Sequence, residues 1–338
     1  MIELKQNQLV FRFPDVHEKA VLRIEFQRTL RIPDDGREYP LPAGLGRFPM
    51  RMVDDFASRL PADWLRHGGV MLPMYQSEAL WINFGGTGYA YPSYPFAIKI
   101  AAGKVDALTG NAWSSELERG PQNYLVAPNQ PWLDGFCVEE GVIRQFVAMP
   151  LGSGYSAEEQ LRGAAEHGGL QILVSPMKAE AYERLAKESR RSLQLHDFML
   201  CQCVADGAAM GLAPGGRMRQ EIFADPHALA DWDVEHASRC FVHLANSLTW
   251  RAITGEQPPT VPPTGKEYAQ ARIPWFEYYA EEEKALKGSK VLAKLASVVQ
   301  LAKKKGDAPL PENESTPVGT VVALRRDLGP GQVREGSF

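Results

Sequence analysis

Short runs of β-branched and aromatic residues, cut at close intervals by turn-forming residues, fill the first half of this chain and leave no space for helices between them. Residues 20–32 are rich in Val, Leu, Ile, Phe and Thr, and alternate charge through Arg23, Glu25 and Arg28. They stop at Pro33-Asp34-Asp35-Gly36, where glycine supplies a positive φ. Residues 70–84 and 94–101 repeat the pattern, and Gly103-Lys104 folds the second run back onto residues 105–108. Glu139-Glu140-Gly141 between residues 135–138 and 142–149 is the clearest hairpin signal. Such a succession predicts an α+β fold whose β-rich body is mainly antiparallel, a sandwich or an open barrel with appended helices.

Helical signals begin after Gly154. Ser156-Ala157-Glu158-Glu159 is a capping box, in which the serine and Glu159 satisfy each other's free amides. Residues 170–175 read as a buried strand and 178–191 as a helix with Tyr182, Leu185 and Ala186 on its apolar side. Asp225-Pro226 looks like an N-cap followed by proline, and residues 233–253 carry Phe241, Leu244, Ala245 and Leu248 at helical spacing. Four prolines in residues 257–265 break any regular element. Residues 275–287 and 290–305 then predict two further helices, closed by Gly288 and Gly306. The expected organisation is a body over 1–255, a Pro-rich hinge and helical C-terminal arm over 256–306, and an extended or flexible tail over 307–338.

With 338 residues, 44% hydrophobic and 23% charged, the chain can bury a sizeable core. A formal charge of −4 does not supply the clustered cations that sequence-independent nucleic-acid binding requires. The opening Met1-Ile2-Glu3-Leu4-Lys5 lacks the apolar core of a secretory signal, and no run is long enough for a membrane span. Four cysteines, two of them in Cys201-Gln202-Cys203, make no disulfide framework in so long a chain. Reduced thiols and a cytoplasmic location are expected.

The residues that can carry chemistry are few. On a helix, Asp233, His236, Cys240 and His243 would share one narrow face, where imidazoles, a thiolate and a carboxylate suit zinc or another divalent transition metal. The other reading of the same residues is the polar border of a packed helix. Gly152-Ser153-Gly154 leads into the capped helix, so the amides near Gly152 and Gly154 can receive an anion or simply make a tight turn. Glu166-His167-Gly168-Gly169 offers an acid beside an imidazole, or a helix end. Asp54, Asp55, Asp63 and His67 lie between strands with no diagnostic spacing.

Aromatic residues are densest between Tyr75 and Phe96, and Tyr89 and Tyr91 sit in a glycine-rich loop suited to stacking on a ligand or anchoring an interface. Residues 290–305 place Val291, Leu292, Leu295, Val298, Val299 and Ala302 on one face beside several lysines. That face can dock on the body, on another subunit or on an anionic membrane surface.

Met149-Pro150-Leu151-Gly152-Ser153-Gly154-Tyr155, Glu166-His167-Gly168-Gly169-Leu170 and Ile273-Pro274-Trp275-Phe276-Glu277-Tyr278-Tyr279 resemble a group of uncharacterised bacterial proteins. The resemblance runs from about Val21 to Leu295 and implies no activity. The functional expectation is a non-enzymatic binding or assembly protein, oligomeric or bound to a protein partner, using the aromatic loop and the arm. A metal-assisted hydrolase or oxidoreductase is the alternative, and a peripheral membrane-surface protein a second.

Overall fold

In the strand Val21–Thr29, Leu22, Ile24 and Phe26 enter the core, while Arg23, Glu25 and Gln27 point to the opposite face. That two-residue period organises most of the molecule. The computed structural model describes residues 1–86, 93–189, 210–279, 283–308 and 315–325.

Within these residues the chain is α+β and dominated by two large sheets. The larger runs in the order Ile2–Lys5, Gln8–Arg12, Val21–Thr29, Ala79–Gly86, Val142–Pro150, Met210–Arg219 and Glu38–Tyr39. Three short strands branch from it: Gly44–Arg47, Trp132–Leu133 and Gly135–Glu139. The second sheet runs Val105–Asp106, Phe96–Ala102, Leu170–Pro176, Ser238–Ala245, Val70–Pro73 and Arg51–Met52, with Leu125–Ala127 beside Phe96–Ala102. Most pairs are antiparallel, but Ser238–Ala245 runs parallel to Val70–Pro73. Phe26, Ile82 and Phe146 from one sheet share a buried cluster with Ile98, Ile172 and Val242 from the other. The two sheets therefore close on a common core, as apolar faces must.

The hairpin around Glu139, the capping box at Ser156, the strand Leu170–Pro176 and the helix Ala179–Ser189 all form where local chemistry places them. The long helix expected over 233–253 does not. Its first part is the strand Ser238–Ala245, and only Ser247–Thr254 is helical, capped by Asn246. A continuous apolar run fits either period, and pairing on both sides decides for the strand. Asp225-Pro226 starts no helix either: the Asp225 carboxylate accepts from Tyr124 Oη at 2.6 Å and Trp232 Nε1 at 2.9 Å, which ties down the loop.

The C-terminal arm also differs from expectation. Residues 275–279, aromatic and suited to a pleated surface, form the strand Trp275–Tyr279 between Val321–Arg325 and Leu41–Pro42. Residues 290–305 are broken into the short turn Leu292–Lys294 and the helix Val298–Lys305. Val298, Leu301 and Ala302 pack on Ala79, Val147 and Ala213, which covers part of the larger sheet's outer face. Ser289 Oγ donates to Thr109 O at 2.6 Å, stitching the segment to the body. No helix among the described residues is long and apolar enough to cross a membrane.

Candidate functional site

The expected metal site fails on geometry. Successive residues of a strand face opposite ways, so Cys240 enters the core while His243, three positions on, points out to the other side. His243 is buried in a column of rings: Trp64 stacks on it at 4.5 Å, and Phe241 lies 4.3 Å from it and 4.7 Å from His67. Its Nε2 meets Gly68 O at 3.0 Å, and burial pushes its pKa down to about 4. His236 lies before the strand, half exposed, with Nδ1 2.9 Å from Asp233 Oδ2. Burial raises the Cys240 thiol to about 12, so it is no ready thiolate. Among the described residues no three His, Cys, Asp or Glu side chains group as metal ligands.

The glycine turn is closed by its own helix. Gly154 N–H donates to Glu159 Oε1 at 2.7 Å, and Ser156 N–H donates to Glu159 Oε2 at 3.1 Å. The Glu159 carboxylate thus stands where an anion would have to sit, which removes the anion reading of Gly152 and Gly154. The Lys305 ammonium seals the turn by donating to Ser153 O and lying 4.5 Å above the Tyr155 ring.

Glu166 and His167 approach to 3.7 Å. The fold turns His167 towards His67, with ring centroids 6.2 Å apart, and burial lowers both imidazole pKa values, with Lys104 adding to the effect. Asp63 pairs with Arg66 instead of His67. Tyr89, Tyr91, Cys201 and Cys203 lie outside the described residues.

What sequence reasoning missed lies on the outer face of the larger sheet. Glu25, 7% exposed, is the centre of a polar hub. Its Oε1 accepts from Gln27 Nε2 at 2.8 Å and Asn83 Nδ2 at 3.1 Å, and its Oε2 accepts from Gln8 Nε2 at 2.6 Å. Arg47 Nε lies 2.6 Å from the same Oε2, a charge contact without hydrogen-bond alignment. Register explains the convergence: Glu25 stands opposite Asn83, and Gln27 opposite both Trp81 and Arg47.

Next to the hub is a run of three partly exposed rings. Trp81 meets Trp132 edge-on at 6.2 Å, and Trp132 meets Tyr278 edge-on at 5.0 Å. Trp132 comes from the short strand paired with Asn83 and Ile82, and Tyr278 from the third sheet. Three polar atoms here are buried without a hydrogen-bond partner: the donors Trp81 Nε1 and Arg47 Nε and the acceptor Gln27 Oε1, and of these only Arg47 has a charge contact, to Glu25. A buried polar atom without a partner costs about 1–3 kcal/mol, so such a group in one place calls for an explanation. Two sequence signals touched this site: the charge alternation through Arg23 and Glu25, and the aromatic run from Tyr75 to Phe96, which contains Trp81.

Compared with family models, curated proteins and solved structures, the chain matches none.

Proposed function

We propose that this is a non-enzymatic binding protein whose ligand seats on the outer face of the larger sheet, over Trp81, Trp132 and Tyr278. The observation that carries the reading is the unsatisfied pair, Trp81 Nε1 and Gln27 Oε1, beside partly exposed rings. Rings with an apolar body and a polar edge are the usual material of recognition surfaces.

The titratable groups support binding over catalysis. Glu25 already accepts from three amides and faces a guanidinium, so its carboxylate is held in place by its neighbours on the sheet. Cys137 and Cys240 are buried thiols raised to about 12, the opposite of an activated nucleophile. Two free thiols also support a cytoplasmic location, as proposed from composition.

A fragment screen by NMR tests the reading. The Trp81 indole resonance, assigned by its loss in Trp81→Phe, should shift with some of the small aromatic and polar fragments offered. If no fragment moves it, and those that bind do so elsewhere, the face is not a binding site.

A further inference from the structure

Resting on that reading, the geometry points to a neutral saccharide as the ligand class, and we propose that one sugar hydroxyl bridges Trp81 Nε1 and Gln27 Oε1 while the sugar's C–H face lies on Trp132.

The first argument is charge. Glu25 and Arg47 neutralise each other 2.6 Å apart, and the remaining carboxylate contacts come from uncharged amides. The charges within the hub therefore cancel, and Arg23, which the strand puts on the same face, is already engaged, so an ionic ligand would lose its hydration with little compensation.

The second is the pairing of the unsatisfied atoms. Gln27 and Trp81 stand directly opposite each other on adjacent strands, and one side chain presents an acceptor and the other a donor. A hydroxyl is both donor and acceptor at a single oxygen, so it can serve the two at once. A peptide group is planar and trans, with N–H and C=O on opposite sides, so one unit cannot reach two neighbouring atoms on the same surface.

Third, the three rings are each partly exposed and meet edge-on. Trp132 stands at 69° to Trp81 and 63° to Tyr278, so the three rings do not cover one another as a stack would. The face of a pyranose offers C–H groups to such a surface while its hydroxyls project from the rim. Both unsatisfied atoms are screened from solvent, so entry of the hydroxyl requires the partly exposed Trp81 indole to rotate.

The test is a fluorescence and calorimetric titration of the full chain with cellohexaose, maltohexaose, chitohexaose and mannohexaose, in parallel with the fragment screen. We expect saturable binding of at least one of them, weakened about tenfold in both Trp81→Phe and Trp132→Ala. Trp81→Phe removes a donor that has no partner along with part of a half-buried ring, so its melting temperature should stay close to that of the parent. A variant that binds weakly while melting normally separates recognition from folding. Fragments binding at Trp81 with no response to any saccharide would overturn the saccharide class and leave the binding face standing. Short peptides binding there instead would overturn it in favour of a peptide ligand. No binding by either route removes both readings.

Discussion

Asp134 and Gln220 hold each other at two points: the Asp134 amide donates to Gln220 Oε1 at 3.0 Å, and Gln220 Nε2 donates back to Asp134 Oδ2 at 2.8 Å. The carboxyl is buried, and burial raises its pKa to about 7 despite its bonds to Gln220 and the Trp132 side chain. Asp134 thus holds one ring of the proposed site by a hydrogen bond.

Asp134 makes stability fall with rising pH. Between pH 4 and 7 the folded protein keeps a proton that the unfolded chain has released, so stability is full at the acid end and declines until Asp134 ionises. In urea unfolding at pH 5 and pH 8, the stability of the parent relative to Asp134→Asn should fall as pH rises, a difference that isolates the Asp134 contribution. Burial pushes His243 the other way, to about 4, so stability is also lost as pH falls from about 6.5 towards 4. The two groups act over nearly the same window with opposite sign, so they offset each other between about pH 4 and 6.5.

Arg28 and Glu78 form a pair with side chains 3% and 0% exposed, 2.5 Å apart. Arg28 Nη2 also donates to Thr260 O at 2.8 Å, which pins the Pro-rich segment. Arg28→Met should cost about 3–5 kcal/mol because it strands a buried carboxylate. The double variant with Glu78→Leu should recover much of that loss, and a double-mutant cycle by denaturant unfolding measures it. A loss in the double variant equal to the sum of the two single losses would show that the pair is not coupled.

Gly69 and Gly36 share a φ of +85°, but their surroundings differ. A Cβ on Gly69 would lie 2.1 Å from Phe241 O, in backbone that cannot move aside, whereas Gly36 has open space. Gly36→Ala should cost about 1–2 kcal/mol for the left-handed conformation alone. Gly69→Ala should cost clearly more, and comparing the two melting temperatures isolates the collision.

His236 and His243 should respond differently to alanine. Truncating His243 hollows a packed ring column and should cost about 2–4 kcal/mol. His236 is half exposed and its loss should stay within about 1 kcal/mol. Neither change should alter the zinc content found by elemental analysis, whereas a stoichiometric metal lost in both variants would restore the ligand reading.

The helix Val298–Lys305 lies with its apolar side on the larger sheet. Leu301→Asp should therefore destabilise the fold by the several kcal/mol that a buried unpaired charge costs, read as a lower melting temperature. Sedimentation with anionic liposomes should leave the parent in the supernatant, since the face that would insert is already covered.

The local features were legible in the residues: the Glu139-Glu140-Gly141 hairpin, the Ser156–Glu159 capping box, the strand Leu170–Pro176 and the helix Ala179–Ser189. Each depends on atoms within a few positions of one another, so the chain alone determined them, together with the α+β class that follows from their order. Ser238–Ala245 and Trp275–Tyr279 were not legible, because an apolar or aromatic run satisfies helix and strand alike until a neighbour offers hydrogen bonds. The Glu25 hub lies further still from sequence reasoning. Gln8 and Asn83 are 17 and 58 positions away from Glu25, and only strand register brings their amides to one carboxylate. The residues determined which faces would be polar; the pairing of strands decided which polar groups meet, because that pairing is settled by burying the opposite face.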